Sequence, residues 1–390
     1  MTQPYRLSTP RVQPLALGQM DPQIQEMLQR PGGFEHGQVL NVFATLAHHP
    51  QLLRRWSPLA NHLLFKSTLP PHEREMVIMR AGWMAGCAYE WGQHVPIAEK
   101  DCQFTQVEFQ AIAEGSADPL WNRGERALLA MAEQLYTKQF VDDAVWNELI
   151  DRYSARQILD AVFTACNYTT LAWALNVLGV QLDAGWAPPD PDLPGNSAQP
   201  SAALPSMAIK RAKPRLEPEP LELLGEKSRE LYDKARGHLD RINVIQTMMH
   251  HPDLLRRWMP FFGHCLHKCE LSLRERETVM LRIGRLCGSG YEWAQHRPIA
   301  LERGLSAAEI AAIADGTLGG REGLLVEAVN QLHRTSMIDD ALWARLSDAY
   351  SLQQILDLIF ICGQYRMVSC ALNTLAVQLD DYLEPYSEAA

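Results

Sequence analysis

The sequence contains no CxxC pair, although it has 8 cysteines in 390 residues. Their spacing supports no disulfide framework. It lacks a positive surplus: 36 Lys and Arg against 46 Asp and Glu leave a net charge of −10. A chain of that sign repels phosphates, and no Lys/Arg run overrides it, so nucleic acid is not expected as a partner. No uncharged apolar run reaches the length that crosses a bilayer, so no membrane partner is expected either. The stretch from Met1 to Gly18 has no basic start followed by an apolar segment. No secretory signal is therefore expected, and the thiols are expected to be reduced in a cytoplasm. Gly and Pro, 24 each, are too few for a fibrous or low-complexity chain. With 47% hydrophobic and 21% charged residues, wholesale disorder is excluded. No alternating run is joined by Asn-Gly or Asp-Gly turns, so a sheet is not expected.

What the chain does have is itself, twice. His48-His49-Pro50-Gln51-Leu52-Leu53-Arg54-Arg55-Trp56 returns as His250-His251-Pro252-Asp253-Leu254-Leu255-Arg256-Arg257-Trp258, and Tyr89-Glu90-Trp91-Gly92-Gln93-His94 as Tyr291-Glu292-Trp293-Ala294-Gln295-His296. Both pairs share an offset of 202 residues. Later matches shift to 197: Asp142 with Asp339, Asn176 with Asn373, Gln181-Leu182-Asp183 with Gln378-Leu379-Asp380. A net deletion between Cys102 and Gly124 in the second copy explains the shift. A period this long marks a duplicated domain and not a solenoid unit. The division is a tail over 1–18, a first domain over 19–186, a Pro/Ser/Ala-rich linker over 187–220 and a second domain over 221–385.

Each copy reads as helix throughout. Capping boxes recur in step: Thr105 with Glu108, Ser306 with Glu309, Ser154 with Gln157, Ser351 with Gln354. Behind the last two, Gln157–Leu182 and Gln354–Leu379 are apolar on nearly every side, the mark of a helix buried all round. The expected fold class is all-α, two homologous helical bundles in tandem.

Cys87, Glu90 and His94 stand at i, i+3 and i+7, which on a helix share one face. Glu75 lies a dozen residues earlier, and Ala85-Gly86 allows a break that lets it approach from a neighbouring helix. The second copy reads Glu277, Ser289, Glu292 and His296 at the same spacings. A carboxylate and an imidazole in a partly dry pocket can be tuned so that one accepts a proton while the other donates. The plainer alternative is a structural Glu90–His94 pair, with Glu75 bridging to Arg80.

The run Glu75 to His94 with Gln93-His94-Val95-Pro96-Ile97-Ala98 resembles the carboxymuconolactone decarboxylase family, which shares the fold of alkylhydroperoxidase D. Asp142 to Trp146, Gln157-Ile158-Leu159-Asp160, Gly363-Gln364-Tyr365, Asn373 and Gln378-Leu379-Asp380 carry the resemblance through both tails. It implies two alkylhydroperoxidase D-like bundles that assemble as trimers or larger rings. Three tandem chains would then supply six domains; alternatively the two copies close on each other as an intramolecular pseudo-dimer. The family's peroxidase branch uses a Glu, a CxxC pair and a His, which fall on Glu75, Cys87, Glu90 and His94. Glu90 replaces the second Cys, and Ser289 and Glu292 leave no thiol in the second copy. Dithiol cycling needs two sulfurs in reach, so that chemistry is not expected.

The decarboxylase branch implies a small conjugated carboxylated lactone or aromatic-derived acid as substrate, with no metal and no organic cofactor. It implies His94 as general base or acid, Glu90 as its partner and Glu75 as the group orienting the imidazole, with His296, Glu292 and Glu277 in the same roles. Around the substrate the expected residues are Cys87, Tyr89, Ser289, Tyr291, His48 and His250. Two other readings are a reductase using Cys87 with an external thiol, and a non-catalytic tandem protein that binds a ligand. Arg54-Arg55 and Arg256-Arg257 are candidate carboxylate binders; Arg80 and Arg282 read as ion-pair residues. His264, Cys265, His267 and Cys269 superficially suggest zinc, but they crowd into one helix without the usual loop spacing, and no metal site is expected.

Overall fold

The computed structural model describes residues 7–29, 34–35, 38–195, 199–236 and 242–386. The first six residues of the expected tail, and 196–198 of the expected linker, lie outside them. The first repeat runs α1 (Pro22–Leu28), α2 (Asn41–Leu46), α3 (Pro50–Phe65), α4 (Pro71–Met84), α5 (Ala88–Cys102), α6 (Gln106–Glu114), α7 (Arg123–Thr137), α8 (Asp143–Ile150) and α9 (Ala155–Leu178). The second repeats this order as α10 (Glu226–Arg236), α11 (Asn243–Met248), α12 (Pro252–His267), α13 (Leu273–Leu286), α14 (Gly290–Glu302), α15 (Ala307–Asp315), α16 (Gly320–Thr335), α17 (Asp340–Ala349) and α18 (Leu352–Leu375). The fold is all-α. The described strands are a two-residue antiparallel pair, Phe34–Glu35 with Gln38–Val39.

The apolar sequence of α9 and α18 has a direct structural consequence. Neither has a solvent face; both are buried along nearly their whole length, and they pack on each other through the middle of the molecule. Among the described residues α18 is the helix long and apolar enough to cross a membrane, and it is wholly buried within the protein. The approach of the two helices depends on Gly363: a Cβ there would stand 2.1 Å from Thr170 Cγ2 and 2.7 Å from its Cβ. A second inter-repeat layer is α3 on α12. Within each repeat, α4 lies against α5, α7 and α9, and α13 against α14, α16 and α18.

Polar contacts close the seam. Asn176 Nδ2 donates to the carbonyls of Ala85 in its own repeat and Ser336 in the other; Asn373 Nδ2 donates to Cys287 and Gln139 in the same pattern. The segments read as tail and linker are not mere spacers. Arg11 reaches from the tail to the Val177 and Ile338 carbonyls and to Asp340 of the second repeat (2.5 Å). Arg215 reaches from the linker to the Val141 and Thr374 carbonyls and pairs with Asp143 of the first. Each repeat thus has an arm that latches onto its twin, and residues 207–220 belong structurally to the second repeat.

Candidate functional site

The site begins at the turn between α4 and α5. Gly86 takes a left-handed φ of 64°, which folds α5 back along α4. His94 then meets Glu75: its Nδ1–H donates to Oε2 at 2.7 Å. Burial alone would raise the Glu75 pKa, but His94 and the Arg74 guanidinium outweigh it and hold the carboxyl below its ordinary range. Arg74 bonds the other oxygen, Oε1, at 3.2 Å. An ionised Glu75 is an acceptor only, so His94 carries its proton on Nδ1 and, when neutral, offers Nε2 as a base. Tyr168 from α9 lies edge-on to the ring, centroids 5.2 Å apart.

Glu90 is treated differently. It is 3% exposed, and neither carboxyl oxygen has a hydrogen-bond partner. Burial drives its pKa well above the ordinary carboxylate range, so the neutral acid is favoured. Space for it comes from Gly82: a Cβ there would stand 2.9 Å from Glu90 Oε2. Glu90 and His94 border a cavity of about 380 Å³, walled by Trp56, Tyr89, Tyr168 and Leu171 and bordered by Arg74 and Gln93. Asp183, from the Gln-Leu-Asp run after α9, fixes that wall: it accepts from Tyr89 Oη and Gln93 Nε2, both at 2.6 Å.

The second repeat keeps the outline. His296 Nδ1 lies 2.8 Å from Glu277, and Asp380 holds Tyr291 and Gln295. Its acid is nearer the imidazole, with Glu292 Oε2 at 3.5 Å from His296 Nε2. Burial lifts Glu292 to about 7 despite the imidazole. Burial opposes a charge on His296, but Glu277 and Glu292 together raise its pKa.

Several expected site residues lie elsewhere. His48 and His250 were expected beside the substrate; instead each pins an arm, His48 Nε2 to the Gln13 carbonyl (2.9 Å) and His250 Nε2 to the Glu217 carbonyl (2.8 Å). Cys87 and Ser289 occupy the N-caps of α5 and α14 and are buried; Cys87 is not among the residues lining the first-repeat cavity. Arg80 does not bridge to Glu75. It pairs with Glu133 and donates to the Ile112 and Ala113 carbonyls (both 2.8 Å). Arg54 contacts Gln23 and Arg256 contacts Asp253, away from this cavity. His264, Cys265, His267 and Cys269 do not converge: His264 bonds Asp357 (2.7 Å), Cys269 Sγ faces the Leu271 carbonyl (3.7 Å), Cys265 is core and His267 is exposed.

Two buried clusters present metal-type ligands, His62–Asp160–His251 and His49–Asp357–His264. Each joins the repeats. Asp160 accepts from His62 Nε2 (2.9 Å), His251 Nε2 (3.1 Å), and the Thr68 amide and hydroxyl (2.6 and 2.7 Å). Asp357 faces His264 Nε2 (2.7 Å), His49 Nε2 (3.0 Å) and the Glu270 amide (2.6 Å). His49 and His251 use Nδ1 to cap α3 and α12, accepting from the Leu52 and Leu254 amides. Their proton then sits on Nε2, toward the carboxylate, whereas a metal needs that nitrogen bare. Around Asp160 the set forms a hydrogen-bonded clasp, and the same residue types gather around Asp357. Sequence reasoning missed both clasps; the signal was that Asp160 with Asp357, His49 with His251 and His62 with His264 all recur between the copies.

The model of the Carboxymuconolactone decarboxylase family matches residues 50–134 and again 252–318. Both repeats thus carry a match to that family, in tandem. Each family match contains one Glu, Glu, His set, residues 75, 90 and 94 or 277, 292 and 296. Among solved structures, it is similar to an uncharacterised peroxidase-related protein with an alkylhydroperoxidase AhpD core from Ralstonia eutropha: 21% identity over 45% of this chain and 93% of that one, TM-score 0.41. An uncharacterised peroxidase-related protein from a Silicibacter species matches at 15% identity over 47% of this chain and 97% of that one, TM-score 0.39. No curated protein matches the chain.

Proposed function

We propose that the cavity beside Glu90 and His94 is the active site of a carbon–carbon lyase of the decarboxylase type, using acid–base side chains alone. Its substrate class is a small conjugated carboxylated lactone or aromatic-derived acid. One observation carries this reading: a buried carboxyl with neither oxygen partnered borders the same cavity as an imidazole oriented by a second carboxylate. An unsatisfied buried acid is costly unless a ligand or a reaction uses it.

The chemistry follows from the protonation states. The bond to the substrate carboxylate breaks, carbon dioxide leaves, and the electron pair is held by the conjugated carbonyl. Neutral Glu90 donates a hydrogen bond or a proton to the developing anion. His94, held by Glu75, moves the proton that replaces the lost carboxyl. Arg74 on the cavity edge offers positive charge to an anionic substrate. Positioned proton transfer of this kind contributes about 10²–10⁴-fold in rate.

The test is carbon dioxide release from 4-carboxymuconolactone. His94→Ala and Glu90→Gln should each cost about 10²-fold or more in kcat, consistent with loss of one acid–base group. Cys87→Ser should retain activity. Loss on Cys87→Ser, with Glu90→Gln active, would replace this reading with thiol chemistry.

A further inference from the structure

The two repeats descend from one unit, yet the residues beside their sites differ. Ser57 and Ala60 border the first cavity from α3. The matching positions on α12 are Met259 and Phe262. Phe262 packs its ring on Trp258, centroids 4.9 Å apart, and Trp258 is the twin of the cavity wall Trp56. A benzyl group therefore stands at the position from which a methyl borders the first site, whereas Met259 borders a groove with Arg55, Leu231 and Ala235 on the α10 side.

Two further differences agree. Arg74 bonds Glu75 and borders the first cavity, whereas Arg276 donates to the Leu266 carbonyl. The second site thus has its arginine engaged by backbone. In addition, Glu90 has no partner, whereas Glu292 lies against His296, which also holds Glu277. Water reaches both imidazoles to the same small degree, 7% for His94 and 6% for His296. Solvent access therefore does not separate the sites.

We infer that the chain takes its carboxylated ligand in the first repeat alone, that Ala60 makes the room for it, and that Phe262 denies it to the second. This rests on the acid–base reading for the class of ligand and adds where it binds and what sets the choice. The second repeat serves as the structural partner that completes the clasps around Asp160 and Asp357.

The experiment is a calorimetric titration of the full chain with 2-furoate, a flat conjugated carboxylate, with turnover of 4-carboxymuconolactone followed in parallel. The wild type should bind one equivalent. Ala60→Phe should bind none and lose turnover, with its circular dichroism unchanged; Ala60→Leu, a milder filling, should raise KM at least tenfold should Ala60→Phe fail to fold. Phe262→Ala should bind two equivalents. Two equivalents in the wild type would overturn the single-site inference while leaving the acid–base reading intact. No binding and no turnover in a folded wild type would overturn the reading itself. Retained binding in Ala60→Phe, or a single equivalent in Phe262→Ala, would overturn the assignment of these two residues.

Discussion

Replacing Asp160 with Asn tests whether the seam between the repeats is held by its buried clasps. Asp160 is fully buried and accepts four hydrogen bonds, from His62, His251 and both donors of Thr68. Burial would raise its pKa, but the His251 and His62 bonds hold it far below the carboxylate range, so it is ionised at neutral pH. Asn offers one acceptor oxygen and turns the other atom into a donor facing donors. At least one imidazole N–H or the Thr68 pair loses its acceptor in a dry interior. Leaving a buried donor without its acceptor costs about 1–3 kcal/mol, which sets the expected loss. The assay is urea unfolding at pH 7. A double-mutant cycle with His251→Gln should return a coupling above about 0.5 kcal/mol, because the two groups touch across the seam. A loss under about 1 kcal/mol, or strict additivity, would refute the claim that this contact ties the repeats.

Gly363→Ala should destabilise by about 1–3 kcal/mol, toward the upper end, because the added methyl meets the Thr170 Cβ and not only a flexible tip; unchanged thermal unfolding would contradict the helix contact described. Glu292→Gln should alter the pH dependence of stability. The folded pKa of about 7 lies above the ordinary 4.5, so wild-type stability falls as pH rises between those values. The variant should gain about 3 kcal/mol over the wild type at pH 8 and nothing near pH 4, at about 1.4 kcal/mol per pKa unit; an equal difference at both pH values would count against a buried neutral acid. Gly82→Ala should displace the Glu90 carboxyl and lower kcat at least tenfold without unfolding the chain; full activity would show that Glu90 needs no such space.

Much of the fold was legible because its signals are local. The four capping boxes are formed as expected, at Thr105, Ser306, Ser154 and Ser351. Glu90 and His94 share a helix, so their spacing alone places them on one face, and Glu75 needed only one turn to join them. What was illegible is what crosses between repeats. Asp160 meets His251 over 91 residues of chain, and no spacing rule reaches that far. The arms were hidden by composition: Pro, Ser and Ala read as a linker, yet Pro10-Arg11 and Pro214-Arg215 repeat in step with the latches they form. Cys87 and Ser289 were misplaced because periodicity gives a face but not the helix start, and the N-cap lies off that face. The exchange of Ala60 for Phe262 was visible in the sequence, but only the cavity shows that Ala60 faces the first site.

Everything proposed for the chemistry depends on Glu90 being an uncharged acid at neutral pH inside a ligand-sized space. Infrared spectroscopy of the wild type against Glu90→Gln reads this without any substrate. The account predicts that the wild type at pH 7 has a protonated-carboxyl stretch that disappears in Glu90→Gln and persists in Cys87→Ser. A difference spectrum showing only ionised carboxylate bands at Glu90 would contradict it.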